Sequence, residues 1–180
     1  IQLNGIELSQ IPGDQLRRLI TVMQQDNYLF NESIEFNVSL GRTGIDLEQV
    51  KKSAEYVYAH SFIEKFEQGY DFQIKENGMN LSAGQIQLVA FARSLAGNSE
   101  VVALDEATSS IDSVTENYIQ KTIEKLLKEK TVIAIAHRLS TIQNSDQILV
   151  LDQGRIIEQG NHQSLLKMNG TYAQLVSSLD

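Results

Sequence analysis

The sequence predicts an α/β domain with a parallel sheet whose carboxyl edge carries the chemistry, and three observations predict it. The apolar run Val101 to Leu104 leads straight into Asp105 and Glu106, as when a buried parallel strand delivers two carboxylates to the sheet edge where open α/β proteins bind ligands. LSAGQ at Leu81 to Gln85 precedes the periodic IQLVAFARSL, a small-residue turn opening an amphipathic helix with Ile86, Val89, Ala90 and Leu95 among its buried candidates. Free backbone N–H groups at such a helix start suit a phosphate. A second aliphatic run, Thr131 to Ala136, ends at His137.

The remaining elements follow in chain order. IQLNGIEL at the start reads as two short strands around an Asn4-Gly5 turn, and Ser9 to Leu19 as a short helix with Pro12 near its beginning, where a missing N–H costs little. Ile20 to Met23 is a short strand ending in the polar cluster Gln24 to Asn27, which on composition alone is a solvated turn. From Tyr28 to about Lys75 the chain reads helical, broken by Gly41, Gly44 and Gly69. Tyr28, Leu29 and Phe30 are either an exposed contact surface or core. After Asp112 a long helix places Val114, Tyr118, Ile119, Ile123, Leu126 and Leu127 on its apolar face. DQILVLDQGRIIEQG reads as a hairpin turning near Asp152 to Gly154, followed by one helix over NHQSLLKMNGTYAQLVSSLD.

Composition narrows the chemistry. With 180 residues, 42% apolar and 21% charged, the chain suffices for a domain with its own core. It has no cysteine, so no disulfide framework and no thiolate site can form. Carboxylates, amides, hydroxyls and three histidines must do the work. A net charge of −8 argues against nucleic acid as the main partner, because binding to phosphate backbones is driven by cations. The longest purely aliphatic run, Val132 to Ala136, is far shorter than the roughly 20 residues a membrane-spanning helix needs.

LSAGQ and VVALDEATSSID, in this order and joined by the AFARSLA helix, resemble the signature motif and the Walker B strand with its D-loop of the ATP-binding cassette (ABC) ATPases. QDNYLFNESIEFNV resembles the Q-loop of the exporter-type members, and AHRLSTI their H-loop. The resemblance runs along essentially the whole chain and implies a P-loop NTPase (RecA-like) parallel-sheet core, over 1–26 and 96–180, with an inserted helical subdomain over about 27–95. It also implies an ATPase domain of an exporter-type transporter that works with ATP and Mg²⁺. Under it, Asp105 and Gln25 hold the metal, Glu106 polarises the attacking water, and His137 and Gln25 order the γ-phosphate. Ser82, Gly84 and Gln85 meet the ATP of a second, head-to-tail nucleotide-binding domain, with Asp112 at that interface. A transmembrane domain is the other implied partner, received near Tyr28 to Phe30, which puts the chain at the cytoplasmic face of a membrane. His60 and His162 match none of these motifs and read as surface or helix-cap residues.

Two departures from the family pattern stand out. None of the eleven glycines precedes a lysine, so the phosphate-wrapping GxxxxGK[ST] run is absent. The expectation is of a cassette whose N-terminal β-subdomain and P-loop are largely missing, inactive alone, with the strands at Val101 to Leu104 and Val132 to Ala136 short of partners. Ala83 stands where glycine is usual; its methyl narrows a backbone approach to phosphate, although alanine is of a tolerated size. Two rival readings are a soluble ABC ATPase acting on DNA or the ribosome and a non-catalytic module acting through its signature surface. The first fits poorly with the exporter-like motifs and with the lack of a coiled coil or basic tract.

Overall fold

Asn4 and Gly5 take φ of 50° and 81° and close an antiparallel hairpin between β1 (Gln2–Leu3) and β2 (Ile6–Glu7), as the Asn-Gly pair predicts. The computed structural model describes residues 1–23, 28–105, 112–135 and 142–179, so Gln25, Glu106 and His137 lie outside the described residues. Two compact units form, Ile1–Ile133 and Ala134–Asp180.

In the first unit, Pro12 caps α1 (Gly13–Leu19), which runs into β3 (Ile20–Met23). This strand lies parallel to β4 (Val101–Asp105), with Ile20 opposite Val101 and Met23 opposite Leu104. The sheet order is β3-β4-β5, with β5 at Thr131–Ile135. Glu100 N–H donates to Leu19 O at 3.0 Å and Thr131 N–H donates to Glu100 O at 3.2 Å. All three strands therefore begin at one edge. The crossover between β4 and β5 is α6 (Ser113–Glu129).

One face of this sheet is covered by α5 (Ala83–Leu95) and α6. Met23, Val102 and Leu104 join Leu88, Val89, Phe91, Ile119 and Leu126 in a single apolar cluster. The same cluster continues into α2 (Ile34–Ser39), α3 (Leu47–Tyr56) and α4 (His60–Ile63) through Ile34, Val38, Val50 and Ile63. Val101, Val102 and Leu104 are buried, so β4 is not short of partners, whereas Ile133 and Ile135 of β5 are exposed as expected, together with Val22 of β3.

Several expectations are corrected here. Val114 is exposed, because the buried face of α6 runs through Thr115, Ile119, Thr122 and Leu126 and Val114 lies to the side of it. Thr122 is buried in the apolar face and tolerated there because its hydroxyl donates to Tyr118 O at 2.8 Å. The breaks expected between Tyr28 and Lys75 are met, Gly41, Gly44 and Gly69 taking φ of 62°, 89° and 53°; what the helical reading lacked is the isolated bridge between Ser33 and Gln73.

The segment leading into α2 is held by a buried amide. Asn37 is fully buried; its Nδ2 donates to Phe30 O at 2.9 Å and Ser33 O at 3.0 Å, while its Oδ1 accepts from Phe30 N–H at 2.8 Å and from Arg93 Nη2 at 3.0 Å. Arg93 also donates through Nε to Asn37 O and through Nη1 to Tyr28 O, both at 2.7 Å. Burial, then the charge of Arg42, lowers the Arg93 pKa.

The second unit contains the hairpin β6 (Ile148–Asp152) and β7 (Arg155–Gly160), turned by Gln153 and Gly154 at φ of 46° and 75°. The single C-terminal helix expected from sequence is two, α7 (His162–Met168) and α8 (Thr171–Leu179), because Asn169 adopts the left-handed conformation at φ 52°. Ile148, Val150, Leu165, Tyr172 and Val176 form its core. Among the described residues, no helix is long and apolar enough to cross a membrane.

Asn37→Ala strands a buried N–H and several carbonyls and is expected to cost about 1–3 kcal/mol, read as a lower denaturation midpoint. An unchanged midpoint would remove Asn37 from its place as the anchor of this segment.

Candidate functional site

The carboxyl ends of the strands face the edge opposite Leu19 and Glu100, and the sequence-predicted residues follow those ends. Asp105 is the last residue of β4, exposed, with no hydrogen-bond or ion-pair partner among the described residues. Gln25 follows β3 by two positions, Glu106 follows β4 directly, and His137 follows β5 by two positions in the sequence. These three lie outside the described residues, as do the other residues of 106–111 and 136–141. Among the described residues no group of three or more His, Asp or Glu gathers in a metal-holding cluster.

The signature residues are fully described, and they form a helix start. Ser82 is the N-cap of α5: its Oγ accepts from Gln85 N–H at 3.2 Å, while Gln85 Oε1 accepts from Ser82 N–H at 2.9 Å. This reciprocal capping box fixes the entry of the chain into the helix. It leaves the N–H groups of Ala83 and Gly84 without an acceptor among the described residues, the two donors an anion would meet.

Gly84 has a packing reason that the sequence did not disclose. It is buried, and a Cβ placed on it would lie 2.5 Å from Thr115 Oγ1 and 2.8 Å from Thr115 Cγ2. Thr115 belongs to the first turn of α6, and its own hydroxyl donates to Asp112 Oδ2 at 2.8 Å. Asp112 is the N-cap of α6, accepting from Val114 N–H at 3.1 Å and Thr115 N–H at 3.0 Å. Two helix starts are thereby locked side by side through Gly84, Thr115 and Asp112. Ala83, by contrast, is exposed in the first turn of α5 and takes no part in this contact.

Electrostatics follow the caps. The backbone N–H of Thr115, then its hydroxyl, hold the Asp112 pKa below the ordinary aspartate value. At the second unit, Tyr172 N–H and Thr171 N–H do the same for Glu158 at the start of α8.

Tyr28 and Phe30 are 55% and 41% exposed while Leu29 between them is fully buried. The two sequence readings of this segment are therefore both met, by alternate residues. Tyr28 and Phe30 pack edge to face at 5.1 Å, Phe30 and Phe36 at 6.2 Å, and the Arg93 guanidinium lies 5.7 Å from the Phe30 ring. The histidines without motifs are structural: His60 Nδ1 and His162 Nδ1 lie 2.8 and 2.7 Å from the hydroxyls of Tyr70 and Tyr172.

A parallel sheet with an exposed carboxylate at its carboxyl edge, beside helices joined start to start, places the chain in the class of α/β domains. Residues 1–109 match the family described as ABC transporter, and the chain belongs to that family. It is similar to the ATP-dependent lipid A-core flippase of Legionella pneumophila (strain Paris), 44% identical over 97% of this chain and 30% of the relative. It is 48% identical to the ATP-dependent lipid A-core flippase of Pasteurella multocida (strain Pm70), over 97% of this chain and 30% of that protein. Among solved structures it resembles a bacterial Atm1-family ABC exporter with ATP bound, with a TM-score of 0.88 and 40% identity, over 98% of this chain and 31% of the other. The chain thus spans about 30% of the length of the curated relatives it matches.

Gly84→Ala forces its new methyl into Thr115 and is expected to destabilise the protein by about 1–3 kcal/mol. Combining it with Thr115→Ala should cost less than the sum of the two single changes, because the colliding Oγ1 and Cγ2 are gone; strict additivity in denaturant unfolding would disprove the contact. Asp112 supplies a pH test. Its folded-state pKa is depressed, so its stabilisation is present above the unfolded value of about 3.9 and is lost as pH falls through the folded value. The stability gap between the protein and Asp112→Ala should therefore be full near neutrality and close at acid pH, as followed by thermal melting across that range.

Proposed function

We propose that this chain is the ATP-hydrolysing part of an exporter-type ABC transporter, coupling hydrolysis to transport from the cytoplasmic face of a membrane. The observation that carries this reading is the signature helix start, with its capping box, its two open N–H donors and its lock onto α6. Residues 1–26 and 96–180 would form the catalytic core and about 27–95 the helical subdomain.

The residues present fit a nucleotide and its metal. Asp105 is an exposed carboxylate with no competing partner among the described residues, as a hard divalent cation requires, and Gln25 would add an amide oxygen. Mg²⁺ bound there would neutralise charge on the phosphate oxygens. Glu106 then accepts a hydrogen bond from the attacking water and orients it, while His137 and Gln25 hold the terminal phosphate. Phosphoryl transfer asks the protein mainly for positioning and charge stabilisation, which these groups supply without covalent chemistry. Ser82, Gly84 and Gln85 would face the ATP of a second nucleotide-binding domain arranged head to tail, with Asp112 at the joint. The open N–H groups of Ala83 and Gly84 support that role.

The aromatic patch of Tyr28, Phe30 and Phe36 would receive the transmembrane domain. It is apolar and exposed, yet rigidly backed by Asn37 and Arg93, as a mechanical contact requires.

ATP turnover of the transporter tests the reading. Glu106→Gln keeps the shape and removes the charge, and should lower turnover by at least roughly 10²-fold while ATP binding persists. His137→Ala should lower it as well, and His162→Ala should leave it unchanged. Undiminished turnover in Glu106→Gln would refute the assignment.

A further inference from the structure

At the opposite edge of the sheet, where β3 and β4 begin, lies a cavity of about 790 Å³. That volume is in the range of small-molecule sites, roughly 300–1,000 Å³. It is lined by Arg17 and Arg18 of α1, by Arg42 and Thr43 after α2, and by Asn98 and Ser99 before β4. No aspartate or glutamate is among its lining residues, although the chain carries 23 carboxylates against 15 Lys and Arg. None of the three arginines forms an ion pair with a carboxylate among the described residues.

Arg42 is fixed rather than solvated. Its Nε donates to Ser39 O at 2.9 Å, and its Nη2 donates to Val38 O at 3.1 Å and Arg93 O at 2.9 Å. Those carbonyls hold the guanidinium plane and leave Nη1 without a partner among the described residues. A Cβ built on Gly97, another wall residue, would lie 3.3 Å from that Nη1, so the absence of a side chain at Gly97 keeps the free edge of the guanidinium uncovered. Burial lowers the Arg42 pKa, which reflects the solvation this cation has lost. Ser99 is buried, and its Oγ is the one buried side-chain N or O without a hydrogen-bond partner among the described residues. One guanidinium preorganised with a free edge, two further arginines lining the same cavity and a buried hydroxyl unused make this wall of an acidic protein a donor surface for an anion.

We propose that this cavity is an anion site that takes a phosphate ester or polyphosphate of metabolite size through Arg17, Arg18 and Arg42. The oxygens of such a ligand match the forked donors of arginine, and Thr43 and Asn98 add neutral hydrogen bonds at the rim. A carboxylate of single charge would leave two of the three cations unanswered.

Titrating the ¹⁵N-labelled protein with pyrophosphate tests the site. The amide resonances of Thr43, Gly44, Gly97 and Asn98 should shift together and saturate, with Gly154 in the turn between β6 and β7 as the internal reference. R17Q/R18Q should weaken this binding by at least roughly tenfold, since each charge-assisted hydrogen bond lost is worth about that factor. R17K/R18K should fall between that variant and the unaltered protein, since it keeps the charge and loses the fork, and K65Q/K167Q, which removes equal charge elsewhere, should not change the binding. A parallel sedimentation arm with phosphatidic acid vesicles separates a free ligand from a headgroup: binding of either probe that R17Q/R18Q abolishes supports the phosphate chemistry. Shifts confined to Gly84, shifts unaltered in R17Q/R18Q, or no binding of either probe at millimolar concentration would overturn it.

Discussion

Gly84 against Thr115 is the contact on which the rest of the site depends. A helix start can offer its N–H groups to an anion only if the chain enters it at a fixed angle and the helix itself does not move. The capping box of Ser82 and Gln85 fixes the entry, and the absent side chain at Gly84 lets the first turn of α6 press directly on the first turn of α5. Asp112 completes the arrangement from the other side, because the carboxylate that caps α6 also holds the Thr115 hydroxyl in place. A group assigned by resemblance to an interface thus has a second, local duty in keeping two helix starts in register.

The parallel sheet supplies the other half of the constraint. Hydrogen bonds from Glu100 and Thr131 align the beginnings of β3, β4 and β5, so the chain leaves all three at a common edge. Asp105 is carried there by a strand whose Val102 and Leu104 are anchored in the core, and a strand end is where a carboxylate can be rigidly based and still exposed. The aromatic patch beside α2 follows the same economy: Leu29 is anchored in the core, while Tyr28 and Phe30 stand out on either side of it. Function sits on residues whose immediate neighbours are immobilised.

Much of this was legible in the sequence, and the reasons differ by element. The Asn4-Gly5 turn, the strand at Ile20 to Met23 and the run ending at Asp105 are local signals, decided by backbone preference and by apolar runs too short for anything else. Membership of the ABC transporter family was legible too, from LSAGQ joined to ALDEATSSID. What was not legible depends on contacts between distant segments. No periodicity announces that Asn37 will be buried and bonded to Arg93, fifty-six positions away. Nor does it announce that Thr122 can replace an aliphatic residue by returning its hydroxyl to its own helix. Val114 was misread because two threonines, Thr115 and Thr122, stand on the buried face of α6 and hide its true direction in the apolar pattern, and the break at Asn169 because asparagine reaches the left-handed region more readily than composition suggests.

The most direct test of the account is whether ATP draws two signature surfaces together. Sedimentation of the Glu106→Gln variant in a protein that also carries the phosphate-wrapping GxxxxGK[ST] run, with and without Mg²⁺-ATP, measures this, since slowed hydrolysis keeps the nucleotide in place. The account predicts a larger, nucleotide-dependent species that disappears when Gly84→Ala is added and the two helix starts are forced apart. A sedimentation profile indifferent to ATP, or an assembly that survives Gly84→Ala unchanged, would contradict it.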